Sequence, residues 1–239
     1  MLRSAAASDV GLRRRANEDA YAVVPELGLY VVADGLGGHQ AGQHASRLAV
    51  EATVGVVRSL RGAPASLTEK LRYAVTNANR EVFEASVQDP ERAGMGTTLV
   101  ALLVEEGRAA LAHVGDSRAY RVAAGHIRQL TDDHSVVGEL LRSHQISPDD
   151  ARDHPHRHVL TRALGIRPAV QADLGELDFA PGDVFVLCTD GLTNLVMDEE
   201  IAKGVGEGEN LERACRHLVE LANARGGEDN ITVALVRRD

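Results

Sequence analysis

A chain of 239 residues, 44% of them hydrophobic, can bury one substantial core, and its length alone allows one large domain or two small ones. Aromatics make up 3% and Trp is absent, so the core must be built from Val, Leu, Ile and Ala, without the stacking platforms of a single-strand nucleic-acid binder. The net charge of -9, from 26 Lys and Arg against 35 Asp and Glu, argues against general binding to nucleic acid or anionic membrane.

Arg3 to Val10 reads as a short strand, followed by a polar connection, Gly11 to Asp19, with three consecutive arginines. Tyr21–Val24 and Leu29–Ala33 are predicted to form a hairpin around Pro25-Glu26-Leu27-Gly28. Gln43 to Leu60 has helical periodicity, with Ala45, Leu48, Ala49, Ala52 and Val56 on one face. Gly62-Ala63-Pro64 ends it, and Ser66 with Glu69 forms a capping box for a second helix reaching about Val87. Thr97–Val104, Ala109–Val114, Ser117–Val122 and Ile127–Leu130 are predicted strands, and their short connections favour one antiparallel meander.

Asp132 to Pro155 is polar and rich in His, Asp and Ser. It reads as a partly helical insertion, with helix starts at Val136 and at Ser147-Pro148-Asp149-Asp150 and with solvated histidines at 134, 144 and 154. Apolar packing resumes at Leu160–Leu164, and Val184–Cys188 is a buried strand. Helices begin at Asp198 and Leu211, and Gly226-Gly227 stops the second before a final strand from Ile231. Neither repeats nor a low-complexity linker divide the chain, so residues 1–239 are expected to form a single domain of the α+β class. Cys188 and Cys215 give no disulfide framework and no Cys-x-x-Cys zinc pair. With no secretory signal and no apolar run near the roughly 18 residues of a spanning helix, the expectation is a cytoplasmic protein without a membrane segment.

Four acids interrupt or flank the apolar strands: Asp34, Asp116, Asp190 and Asp229. Asp-Gly is also an ordinary turn signal, so any one of them alone says little. Together they are more telling, because converging carboxylates repel and take up protons unless a cation intervenes. Oxygen-only ligation suits Mg²⁺ or Mn²⁺. Two such ions would activate a shared water for direct attack on phosphorus. Arg13, Arg14 and Arg15 are either a phosphate grip or a solvated basic turn.

In order along the chain stand Gly11-Leu12-x-Arg14-x-x-Asn17-Glu18-Asp19, Val31-Val32-Ala33-Asp34-Gly35-x-Gly37-Gly38 and Gly96-Thr97-Thr98. Val114-Gly115-Asp116-Ser117-Arg118, Leu187-x-Thr189-Asp190-Gly191 and Asp229-Asn230-Ile231-Thr232 follow. This series resembles the ordered motifs of the metal-dependent type-2C serine/threonine protein phosphatases in their bacterial form, over nearly the whole chain.

The resemblance implies a four-layer αββα sandwich, two antiparallel sheets flanked by helices, with the site at one end and a flap at about residues 132–155. It implies that Asp34 bridges two ions, Mn²⁺ or Mg²⁺, and that Asp190 and Asp229 complete the first ion's ligands. The Gly35 carbonyl and Glu18 would serve the second ion, with Asp19 orienting a metal-bound water. Asp116 with Asp190 would hold a third ion, the alternative being a structural turn. Arg14 matches the phosphate-binding Arg, and Arg118 is expected to be structural, paired with an acid. His39 is a candidate general acid, its ordinary pKa of about 6.5 suiting the task. A metal-bound water is the alternative proton donor. The partners implied are phosphoproteins and a cognate Ser/Thr kinase and its substrates, opposed by a monomeric phosphatase. A phosphoprotein-binding pseudophosphatase and a small-molecule phosphohydrolase are the competing readings. The intact acids oppose the first and the ordered motifs oppose the second. No G-x-x-x-x-G-K-[ST] phosphate loop is present.

Overall fold

The computed structural model describes residues 1–147, 150–151, 154–206 and 210–239, with His39 described by its backbone only. β1 (Leu2–Asp9) opens the chain. β2 (Ala20–Val24) and β3 (Leu29–Ala33) form the expected hairpin around a 3-10 turn at Pro25–Leu27. β4 (Gly35–Leu36) leads into α1 (His39–Ser59), which begins before the expected Gln43. Gly37 and Gly38 take positive φ there and turn the chain into the helix. α2 (Leu67–Gln88) starts at the capping box: Glu69 N–H donates to Ser66 Oγ at 3.2 Å, and Ser66 N–H donates to the Glu69 carboxylate at 2.8 Å.

β5 (Gly96–Thr97), β6 (Leu99–Glu105), β7 (Arg108–Val114), β8 (Arg118–Ala123) and β9 (His126–Gln129) come next. α3 (Val136–Arg142) lies within the polar insertion. The helix start expected at Ser147 includes Pro148 and Asp149, which lie outside the described residues. β10 (Asp173–Asp178), β11 (Val184–Cys188), the single turn α4 (Asp190–Thr193), α5 (Asp198–Gly206), α6 (Leu211–Ala224) and β12 (Ile231–Arg238) complete the order.

The strands form two antiparallel sheets, ordered β1-β12-β11-β8-β9 and β10-β7-β6-β3-β2, with a short β4-β5 pair beside them. β3 and β11 are buried on both faces, which is why they read as unbroken apolar runs. Leu29, Val31 and Ala33 pack under α1 and α2, with Leu71, Ala78 and Val82 among their partners. Tyr30 and Val32 meet Phe185 and Leu187 between the sheets. Val184, Val186 and Cys188 pack under α5 and α6 with Ile201 and Leu218. The result is helices, sheet, sheet, helices. No described helix is long and apolar enough to cross a membrane.

The expected single meander is corrected. β6 and β7 pair in one sheet, while β8 and β9 pair in the other. The connection Gly115-Asp116-Ser117 carries the chain across the sandwich. Gly115, at φ +111, sits so close to Thr98 that a Cβ would lie 2.6 Å from the threonine side chain. The expected strand Thr97–Val104 is likewise divided, Thr97 pairing with Gly35 and β6 starting at Leu99.

Candidate metal and phosphate site

The strand registers bring one end of both sheets together. Ala33 lies opposite Ala20, Val114 opposite Leu99, and Cys188 opposite both Val233 and Arg118. Asp34, Asp116 and Asp190 therefore leave their strands, and Asp229 enters β12, at the same end, with Glu18 and Asp19 entering β2 beside them. Each of the four strand-end aspartates is half-buried.

The main chain of Asp34 is fixed by its neighbours. Its N–H donates to Thr98 Oγ1 at 2.9 Å, and its carbonyl accepts from Thr98 N–H at 2.9 Å and Thr97 Oγ1 at 2.8 Å. The side chain is thereby left to face the other acids. Gly35 and Gly42 meet back to back: a Cβ on Gly35 would lie 2.2 Å from the Gly42 carbonyl, and one on Gly42 would lie 2.0 Å from Glu18 Oε2. Only two glycines let β4, α1 and the Glu18 carboxylate approach so closely.

The electrostatics record the crowding. Burial, then the charges of Asp19, Asp190, Asp116 and Asp229, hold the Asp34 carboxyl well above the usual carboxylate range. Burial and Asp190 do the same to Asp116. Asp190 is raised by burial and Asp229, while the Asn194 amide, His158 and the Asp34 carboxyl pull the other way. Asp19 is pushed up to about 7, chiefly by burial, although Thr232 Oγ1 and Thr189 Oγ1 donate to its Oδ2 at 2.7 and 2.9 Å.

A divalent cation fits this donor set. Asp19 Oδ1 and Asp190 Oδ1 are buried without a hydrogen-bond partner among the described residues, an arrangement that burial penalises unless a positive group completes it. Among the described residues no three His, Cys, Asp or Glu side chains are placed to hold an ion by themselves.

The arginine connection resolves into one inward contact. Arg14 Nη2 donates to Asp229 Oδ2 at 2.7 Å, and that bond raises the guanidinium pKa. All three arginines are exposed, Arg14 included. The other Asp229 oxygen accepts the Asn230 N–H at 2.8 Å. Arg118 is engaged as expected, its guanidinium forming a two-pronged pair with Asp133 at 2.9 and 2.8 Å. His39 is the first residue of α1, but its side chain lies outside the described residues.

Two residues escaped sequence reasoning. Asn230 is buried and accepts Glu18 N–H on Oδ1 at 2.8 Å, while its Nδ2 donates to the carbonyls of Val10 and Ala16 at 2.9 and 3.0 Å. It pins both ends of the Arg14 loop to the strand end that carries Asp229. His134, expected to be solvated, is fully buried. Its ring bonds Gly115 and Asp173, so the correction follows from paired ring nitrogens that need no water. His144 is exposed and His154 half-buried. The Asp-Asn pair before an apolar run was the available signal for Asn230; nothing local marked His134.

Residues 13–234 match the family model described as "Protein phosphatase 2C". The chain is 39% identical over 240 residues to the serine/threonine phosphatase stp of Listeria monocytogenes, covering 97% of this chain and 94% of that one. The crystal structure of the Mycobacterium tuberculosis serine/threonine phosphatase PstP/Ppp is similar at a TM-score of 0.92 and 37% identity, covering 100% of this chain and 99% of that one. A structure of the PstP catalytic domain in complex with two manganese ions gives 0.90 and 36%, over 100% and 99% of the two chains. The motif order, the sandwich and these similarities agree: the chain belongs to the protein phosphatase 2C family.

Proposed function

We infer that the chain is a metal-dependent serine/threonine protein phosphatase, hydrolysing phosphoserine and phosphothreonine in proteins. The observation that carries this reading is the convergence of Asp34, Asp116, Asp190 and Asp229, with Asp190 Oδ1 lacking a partner among the described residues. Asp34, Asp190 and Asp229, with Glu18 and the Gly35 carbonyl, would hold two Mn²⁺ or Mg²⁺ ions, and Asp116 with Asp190 a third. When bound, such ions supply Lewis-acid activation of water for attack on phosphorus. Asp19, held by two threonine hydroxyls through Oδ2, would use its other oxygen to orient that water when the ions are bound. Arg14 is tethered to Asp229 and offers its remaining N–H donors to phosphate oxygens. His39, at the start of α1, is the proposed proton donor to the leaving alcohol.

Residues 1–239 act as one catalytic domain, with 132–155 a flap beside the site. The protein works as a monomer in the cytoplasm, on the substrates of a cognate Ser/Thr kinase. The two free, buried cysteines support a reducing compartment. The test is hydrolysis of a phosphothreonine peptide. Activity should vanish with EDTA and return with Mn²⁺; binding of the peptide without turnover at saturating Mn²⁺ would instead favour the pseudophosphatase reading.

A further inference from the structure

The polar insertion is bolted to the site at its root, and the bolt is His134. Its main-chain N–H donates to the Gly115 carbonyl at 2.7 Å, and the Gly115 N–H donates to its ring Nδ1 at 3.1 Å. Both backbone groups of the residue before Asp116 are thus taken by one side chain and its own main chain. With Nδ1 accepting, the proton sits on Nε2, which meets Asp173 Oδ2 at 3.1 Å. Asp173 is held in turn by Arg162 Nη1 at 2.8 Å. The His134 carbonyl accepts Thr161 N–H at 2.8 Å, and Val136 N–H donates to the Val159 carbonyl at 2.8 Å, so the chain just beyond the insertion closes on the insertion's start at this point. On the far side of the turn, Ser117 Oγ lies 2.6 Å from Thr98 Oγ1, the atom that accepts the Asp34 N–H.

Asp116 therefore stands between two fixed neighbours, one set by His134 and the other by the threonine that also sets Asp34. We propose that His134 is a positioning residue of the catalytic site, holding the Gly115–Asp116 turn so that Asp116 faces Asp190 and tying that geometry to the closure of the insertion. The role rests on the phosphatase reading above. It differs from simple core filling because the imidazole is engaged at both nitrogens by different segments. A packing role would need only its volume.

The test compares His134→Asn, whose amide oxygen can still accept the Gly115 N–H, with His134→Gln, whose longer amide reaches the Asp173 side instead. Asp173→Ala, at an exposed position, removes the ring's second support without opening the core. Each is measured by a calorimetric Mn²⁺ isotherm, by the melting temperature without metal, and by kcat and KM on a phosphothreonine peptide. His134→Asn is expected to stay within about twofold of wild type, while His134→Gln weakens the weakest Mn²⁺ site and lowers kcat by about tenfold with KM unchanged. Asp173→Ala should move the same quantities about threefold. Equal losses in His134→Asn and His134→Gln, or losses confined to melting temperature, overturn the proposal. Wild-type protein that fails to turn over with Mn²⁺ would overturn the phosphatase reading instead, and the Mn²⁺ isotherms would still decide for His134.

Discussion

Asn230→Ala tests whether the Arg14 loop is held by the strand end it approaches. The substitution removes three hydrogen bonds: Glu18 N–H to Oδ1 at 2.8 Å, and Nδ2 to the carbonyls of Val10 and Ala16 at 2.9 and 3.0 Å. At about 1 kcal/mol net each the loss is about 3 kcal/mol, and Glu18 N–H, left without its acceptor, adds its own desolvation cost. In a chain of this length, 3 kcal/mol corresponds to a fall in Tm of about 6–12 °C. Stability and function should fall together, because the loop that loses its anchors at both ends carries Arg14. Urea unfolding of the metal-free protein gives the first quantity, and KM for a phosphothreonine peptide gives the second, expected to rise severalfold with a smaller change in kcat. A stability change below about 0.5 kcal/mol together with an unchanged KM would refute the clamp.

Arg14→Ala should raise KM more than it lowers kcat, since the guanidinium offers ground-state and transition-state phosphate the same fork; an unchanged KM moves phosphate binding to another residue. Its partner Asp229 keeps the Asn230 N–H, so melting temperature should move little. His113, whose ring lies 4.5 Å from that of His134, gives a pH test read on stability alone. It is buried, and burial followed by the neighbouring His134 pushes its pKa down to about 3. The unfolded chain takes up this proton near pH 6.5 and the folded chain does not, so stability falls as pH drops through that window. By pH 5 the loss from this group is about 2 kcal/mol. His113→Leu should flatten that acid limb in urea titrations; an identical limb in both proteins shows that His113 is not its source.

β3 and β11 were legible because both faces of each strand are buried, which forces an unbroken apolar run and makes the following Asp34 and Asp190 conspicuous. The capping box of α2 was legible because it is local: Ser66 and Glu69 complete each other's bonds within one turn. What stayed hidden depends on residues distant in sequence. The change of sheet at Gly115 is fixed by contact with Thr98, and turn residues such as these also close ordinary hairpins. β10 has only Leu174 and Leu177, half-buried and three residues apart, among acids and Gly175, a weak strand pattern that pairing with β7 makes into a strand. α1 reaches back to His39 because Gly42 packs against Gly35, and glycine lowers rather than raises a local helix signal. The acids could be proposed as a set from the motif order, but Asn230 was given no role and His134 was read as solvated. Polar residues in a loop look alike until their partners are known.

Divalent cations held by the strand-end aspartates, with Asp34 shared between two of them, can be detected directly. Calorimetric titration of Mn²⁺ into wild-type protein and into Asp34→Asn tests for them without reference to turnover. Wild type should bind at least two ions per chain, and Asp34→Asn should lose the tight pair together while keeping a folded, cooperatively melting protein. An Asp34→Asn isotherm that matches wild type in stoichiometry and affinity would contradict the account.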